Sequence, residues 1–313
     1  MKILVTGGTG LVGNALISKL VESADDVLYV RSKDCDLREA IHVDNVFKKF
    51  QPDVVVHLAN VVGGLYANMD NNYTFLVDNL KINTNILENC KKYSVKRLIN
   101  ILSTCVFPDK GIVTPLTSDQ MLNGEPHFSN TGYAHSKRFM YIASRLLSQT
   151  SDTRVVNLTP TNLYGKNDNY NLIDSHVIPA IIHKTYLAHK KNNILFIKGS
   201  GKALRQFLYA EDFANVIYQY IYKDLSDDCT TMIVSPPSAS EVSIRDLVKV
   251  IVTEIGFEGR VIYDPEYSDG QMSKTTDSNE LLHHLPHFHF TDLQQGLKET
   301  IKHFVENYEN VRK

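Results

Sequence analysis

Tyr133 and Lys137 stand four residues apart in Asn130-Thr131-Gly132-Tyr133-Ala134-His135-Ser136-Lys137. On a helix both side chains would leave one face, so phenol and ammonium can meet. A free phenol has a pKa of about 10, too high for efficient acid–base work near neutrality, and a neighbouring ammonium favours phenolate and lowers that value. Ser103, at the end of an apolar run, adds a hydroxyl able to hydrogen-bond a substrate oxygen. Tyrosine and lysine at this spacing are common on any helix, so the pair gains weight only from its surroundings. Those surroundings include Gly7-Gly8-Thr9-Gly10-Leu11-Val12-Gly13, which places Gly7, Gly10 and Gly13 at G-x-x-G-x-x-G spacing between an apolar strand and a helix. Gly7 permits the tight turn, Gly10 lets a pyrophosphate approach the backbone, and Gly13 lets the helix pack against the sheet. The free N–H groups and partial positive charge of the helix N-terminus then face the phosphates of a dinucleotide. Arg31 follows the second strand and suits the 2′-phosphate of NADP, whereas Asp34 or Asp36 would suit the ribose of NAD; Arg31 tilts the expectation to NADP, supplied as NADPH.

These groups converge only if the chain folds as alternating strands and helices. Strands are expected at 2–6, 27–30, 54–58, 97–102 and 154–158, and helices at 11–21, 39–50, 72–93 and 133–149. The near-continuous apolar run at 54–58 is the mark of a strand covered on both faces of a parallel sheet. The pattern predicts an α/β fold, a Rossmann-type doubly wound parallel sheet that places ligands at the carboxyl ends of its strands. After Gly165, helices at 173–189, 243–255 and 293–308 mix with short strands at 194–197, 231–234 and 260–263. The expected division is a dinucleotide-binding domain over 1–165, to which 205–225 returns, and a smaller mixed α/β C-terminal substrate lobe over 166–204 and 226–313.

Composition narrows the function classes. The formal net charge is -2 and no basic block appears, which argues against a nucleic-acid partner. No apolar run reaches the length of about 20 residues that a membrane span needs, and the start lacks the features of a secretory signal. Cys35, Cys90, Cys105 and Cys229 show no paired spacing, so reduced thiols in a cytoplasmic protein are expected. His283, His284, His287 and His289 are interrupted by Leu285 and Pro286; they read as a loop and short strand, and no metal site is expected.

Beyond the generic motifs, the chain resembles the extended short-chain dehydrogenase/reductase family, in its branch of epimerase-reductases that convert GDP-4-keto-6-deoxy-D-mannose to GDP-L-fucose. The resemblance covers nearly the whole chain. It is most specific at Val61-Val62-Gly63-Gly64-Leu65-Tyr66-Ala67-Asn68, Ser103-Thr104-Cys105-Val106-Phe107-Pro108, 130–137, Pro160-Thr161-Asn162-Leu163-Tyr164-Gly165 and Ser175-His176-Val177-Ile178-Pro179-Ala180. It implies a GDP-linked keto-deoxy sugar as substrate, NADPH as reductant and a homodimer. It also implies that Cys105 and His176 are base and acid for inversion at C3 and C5, with Tyr133 the proton donor at the C4 oxygen. Further cofactor contacts implied are Thr9, Leu11, Val12, Asp36, Leu37, Leu102, Lys137, Pro160, Asn162, Leu163 and His176. Substrate contacts implied are Asn162, Lys184, Lys198, Arg205 and Asp269. Lys184 stands where some relatives have Arg, Lys198 where some have an aromatic residue, and Lys274 is a further candidate for the cofactor phosphate. From sequence position alone, Cys105 reads equally as a small buried apolar residue, and Arg205 as an ion-pair partner of Glu211 or Asp212.

Two other functions remain to be weighed: a nucleotide-sugar 4-epimerase or 4,6-dehydratase with recycled NAD, and a non-catalytic dinucleotide-binding scaffold. The first would lack the Cys105/His176 pair. The second would be expected to lose Tyr133 or Lys137, and both are present.

Overall fold

The computed structural model describes residues 1–313. In chain order the first elements are β1 (Lys2–Thr6), α1 (Leu11–Leu20), β2 (Asp26–Val30), α2 (Ala40–Phe50), β3 (Val54–His57), α3 (Leu65–Lys92), β4 (Arg97–Ile101), α4 (Thr131–Gln149) and β5 (Arg154–Pro160). Next come β6 (Asn162–Tyr164), α5 (Val177–Lys191), β7 (Leu195–Lys198), β8 (Leu204–Arg205), β9 (Phe207–Tyr209), α6 (Ala210–Tyr222) and β10 (Cys229–Val234). The chain ends with β11 (Val242–Ser243), α7 (Ile244–Ile255), β12 (Val261–Asp264), α8 (Asn279–His284) and α9 (Leu293–Glu306).

Six parallel strands form the main sheet in the order β10-β5-β4-β3-β1-β2. The order reverses between β1 and β3, and the crevice outside that switch point is where open α/β sheets bind ligands. Ile3, Val5, Val54, Val56, Ile99 and Val156 face one core, shared with α1 and α6. Leu4, Val55, Leu98 and Val155 face the other, beneath α2, α3 and α4. Burial on both faces explains why these strands read as apolar runs rather than alternating ones. A third core joins α5, β7, α7 and α9.

Three departures from expectation have local causes. The strand expected at 231–234 in the smaller lobe is β10, the edge strand of the main sheet, paired with β5 from Cys229↔Val155 to Val234↔Pro160. Helix α3 begins at Leu65, well before the expected 72, because Asn71 (φ -127°, ψ 23°) kinks it and breaks its apolar period. Helix α5 begins at Val177 rather than 173, because Asn171 Oδ1 accepts from Ile173 N at 2.8 Å and holds a turn there. No helix is long and apolar enough to cross a membrane. His283 and His284 end α8 and His287 and His289 lie in the turn after it, not in a strand, and no cluster of metal-ligating side chains forms.

Candidate active site

The turn after β1 is built around two glycines that no other residue could replace without movement. Gly7 has φ +73°, and a Cβ there would lie 2.9 Å from Ala59 N at the end of β3. A Cβ on Gly13 would lie 2.5 Å from Gly7 O. Gly10 caps α1 without any side-chain hydrogen bond, so the first-turn N–H groups of Leu11, Val12 and Gly13 are left for a ligand. With Thr9 these residues line a cleft of about 920 Å³. An anion-binding turn of this shape fits a dinucleotide diphosphate. Gly13→Ala should therefore weaken NADPH binding about tenfold, because overpacking against backbone costs about 1–3 kcal/mol. Titration by NADPH fluorescence measures this, and an unchanged Kd would remove the turn from the site.

The same cleft is lined by Ser103, Tyr133 and Lys137. Lys137 is 1% exposed, with Nζ donating to Ile101 O at 2.5 Å and lying 5.7 Å from the Tyr133 ring centroid. Burial pushes its pKa down to about 7. Burial also pushes the Tyr133 phenol up, contrary to the expectation of an ammonium-lowered value. Desolvation is the first cause and the neighbouring Cys105 adds to it, with no offsetting contribution from Lys137. A phenol kept neutral in this way is matched to giving a proton rather than taking one.

Beside them, Ser103 Oγ accepts from Cys105 N at 3.2 Å and caps a short 3₁₀ turn that carries Cys105 into the cleft. Asn130 Nδ2 donates to Cys105 Sγ at 2.8 Å. The thiol is thus half-buried and hydrogen-bonded, not a core apolar residue. His176 precedes α5 without capping it, so its ring is free for the cleft. It is solvent-exposed there, yet surrounding protein pushes its pKa below the usual histidine value. Gly64 holds this loop in place: its N–H donates to Asp174 O at 2.9 Å, and any Cβ would collide with Ser175 O. Gly132 packs as closely on Asn72 O, which seats the start of α4 against α3.

The family model described as "NAD dependent epimerase/dehydratase family" matches residues 3–230. The chain is 41% identical to GDP-L-fucose synthase of Dictyostelium discoideum, over 99% of this chain and 97% of that one. It is 35% identical to a probable GDP-L-fucose synthase of Drosophila melanogaster, over 100% of this chain and 99% of that one. The chain belongs to the GDP-L-fucose synthase branch of this family. A solved GDP-L-fucose synthetase from Naegleria fowleri, bound to NADP, superposes with a TM-score of 0.92 at 38% identity, covering 100% of this chain and 95% of that one.

In this member of the GDP-L-fucose synthase branch, nearly every residue singled out in the sequence lines the one cleft. Leu102, Pro160, Asn162, Leu163, Asp36 and Leu37, expected at the cofactor, do so, as do Lys184, Lys198, Arg205 and Asp269, expected at the substrate. Arg31 is the exception. Its guanidinium turns onto Asp34 at 2.5 Å and is not part of the cleft wall. Of the basic residues in the segment after β2, Arg38 lines the cleft, held by Asp36 at 2.8 Å and Asp78 at 3.0 Å. Arg38 holds the Asp36 carboxyl down at about 2. Arg205 makes no ion pair with Glu211 or Asp212; its Nη1 donates to Leu204 O at 2.7 Å, and Asp212 binds Thr291 instead. Lys274 also lines the cleft, with Cys105, Arg205 and Asp109 as its titratable neighbours. The Lys198 ammonium lies 4.5 Å and 4.8 Å from the ring centroids of Tyr66 and Tyr267. Asp269 accepts from Ser200 N at 2.8 Å and Ser200 Oγ at 2.6 Å. Sequence reasoning gave no role to Asn130, Arg38 or Asp168. Asp168 lines the cleft with Oδ2 unpartnered, and burial pushes its carboxyl up to about 7. A smaller hollow of about 390 Å³ beside Asn215 and His287 contains none of the residues of this site.

Proposed function

We propose that the protein converts GDP-4-keto-6-deoxy-D-mannose to GDP-L-fucose by inverting C3 and C5 and then reducing C4 with NADPH. The observation that carries this reading is the Cys105 thiol, anchored by Asn130, in the same cleft as His176, Tyr133 and Lys137. A 4-epimerase or dehydratase needs the last two, not the first pair. The C4 ketone acidifies the protons on both neighbouring carbons. Inversion takes a proton from one face of the enolisable carbon and returns one to the other; Cys105 acts as base and His176 as acid. When bound, NADPH supplies hydride to C4. Tyr133 protonates the C4 oxygen, Lys137 sits beneath it, and Ser103 hydrogen-bonds that oxygen.

The glycine turn and the N-terminus of α1 hold the cofactor diphosphate, Asn162 and Leu163 border its nicotinamide, and Arg38 takes the 2′-phosphate role first expected of Arg31. NADP in the Naegleria fowleri relative supports this choice over NAD. Arg205, free of any carboxylate partner, forks onto the substrate diphosphate, with Lys184 adding charge. A cytoplasmic homodimer, paired through α3 and α4, belongs to the same proposal; exposed Tyr73, Ile142 and Leu146 on those helices support it. The deciding experiment incubates the protein with the keto-sugar and NADPH in deuterated water. Equimolar NADPH consumption and deuterium at C3 and C5 of the product are expected. Turnover without NADPH consumption would instead assign a 4-epimerase or dehydratase with recycled NAD.

A further inference from the structure

One row of side chains in the main sheet is polar where its neighbours are apolar. Thr6, His57, Asn100, Asn157 and Thr231 lie side by side across β1, β3, β4, β5 and β10. The first four are 0% exposed. By strand alternation they share a face with Leu4, Val55, Leu98 and Val155, in the core beneath α3 and α4. Polar groups buried there are tolerated only when hydrogen-bonded.

The bonds have fixed directions. Ala59 N donates to Thr6 Oγ1 at 3.3 Å, and Thr6 Oγ1 lies 2.8 Å from His57 Nδ1. His57 Nε2 lies 3.2 Å from Asn83 Oδ1, while Asn83 Nδ2 donates to Ser136 O at 3.2 Å. Asn83 thus presents an acceptor to His57, so Nε2 carries the imidazole proton and Nδ1 accepts from the Thr6 hydroxyl. Further along the row, Asn100 Nδ2 donates to Asn157 Oδ1 at 2.9 Å, and Ser144 Oγ donates to the same oxygen at 3.1 Å. The row therefore grips α4 at Ser136 and Ser144, about two helical turns apart. Ser136 lies between the two reactive residues; its Oγ donates to Tyr133 O at 2.7 Å. Together with the Lys137 Nζ bond to Ile101 O, these bonds give α4 directional anchors on the sheet, which resist the small sliding that apolar contacts would tolerate.

We propose that His57, acting through Asn83, is a positioning residue for Tyr133 and Lys137, and that this row sets the axial register of α4 on the sheet. His57 is not part of the cleft wall, so it acts on the chemistry through its partners: through Asn83 on α4, and through the Thr6 hydroxyl that borders the glycine turn. The proposal rests on the catalytic reading of Tyr133 and Lys137 given above.

Three variants test it. His57→Leu should lower Tm and reduce kcat for C4 reduction roughly 10- to 100-fold, the scale of a small misplacement of reacting groups. KM and NADPH affinity should stay within about twofold. His57→Leu/Asn83→Leu removes the unpaired Asn83 oxygen that the single variant leaves, though Thr6 Oγ1 still lacks its imidazole acceptor, so Tm should recover in part while kcat does not. His57→Gln can accept from Thr6 and donate to Asn83, and should restore both. A double variant that regains wild-type kcat along with its Tm would show a purely structural row and overturn the proposal. So would His57→Leu with unchanged kcat. Crystal structures of the variants give a readout that needs no turnover: α4 shifts along β4 in both leucine variants and returns with glutamine. An unmoved α4 in the double variant would also overturn the proposal. Wild-type protein that leaves NADPH unconsumed with the keto-sugar would instead reject the functional reading, and the crystallography would still decide the register.

Discussion

Tyr133→Phe should abolish nearly all C4 reduction, lowering kcat for NADPH oxidation by about 10²- to 10⁴-fold, the usual span for loss of a positioned general acid. The substitution removes one oxygen and leaves the ring. Tyr133 is 8% exposed and its ring packs beside the Lys137 ammonium, so the fold and the cofactor affinity should be preserved. Burial holds the phenol neutral, and a neutral phenol loses its proton readily only when an alkoxide forms against it. Proton exchange at C3 and C5 should continue in this variant, because Cys105 and His176 are untouched. A Tyr133→Phe protein that retains turnover within about twofold would remove the phenol from the mechanism.

The complementary variant separates the two halves of the reaction. Cys105→Ser should slow deuterium entry at C3 and C5 by about 10²- to 10⁴-fold, since a thiol ionises near a pKa of about 8.5 and an alkyl hydroxyl far above it. Ser103 Oγ accepts from the backbone N–H of residue 105, so the turn survives the change. Asn130 can donate to a serine oxygen as it does to sulfur. Reduction of a keto-sugar supplied already inverted at C3 and C5 should fall only a few-fold, because Tyr133, Lys137 and Ser103 remain. Solvent deuterium entering both carbons at the wild-type rate would exclude Cys105 as the base.

Much of the site was legible in the sequence because its parts are local. The glycine turn, the Tyr133–Lys137 spacing and the strand end at Ser103 are each encoded within a few residues, and resemblance carried Cys105 and His176. What sequence reasoning missed depends on contacts between distant segments. Arg31 and Arg38 are equally basic and close together; only the turn that pairs Arg31 with Asp34 decides which one faces the cleft. A short apolar run such as Cys229–Val234 looks the same whether it joins a lobe or the main sheet, and pairing with β5 decides. His57 read as one more residue of a buried strand, and its meaning emerges only from the register of five strands. Asn130 was visible beside the tyrosine, but nothing in its spacing pointed to a sulfur partner.

The bond from Gly64 N to Asp174 O ties the segment that carries His176 to the connection between β3 and α3. If the two halves of the molecule breathe, they cannot part along that line without breaking a backbone bond and opening a contact that admits no side chain. Tyr66 Oη, in the first turn of α3, also donates to Ser268 O at 3.4 Å, so the rim that bears Asp269 is tied to the same helix end.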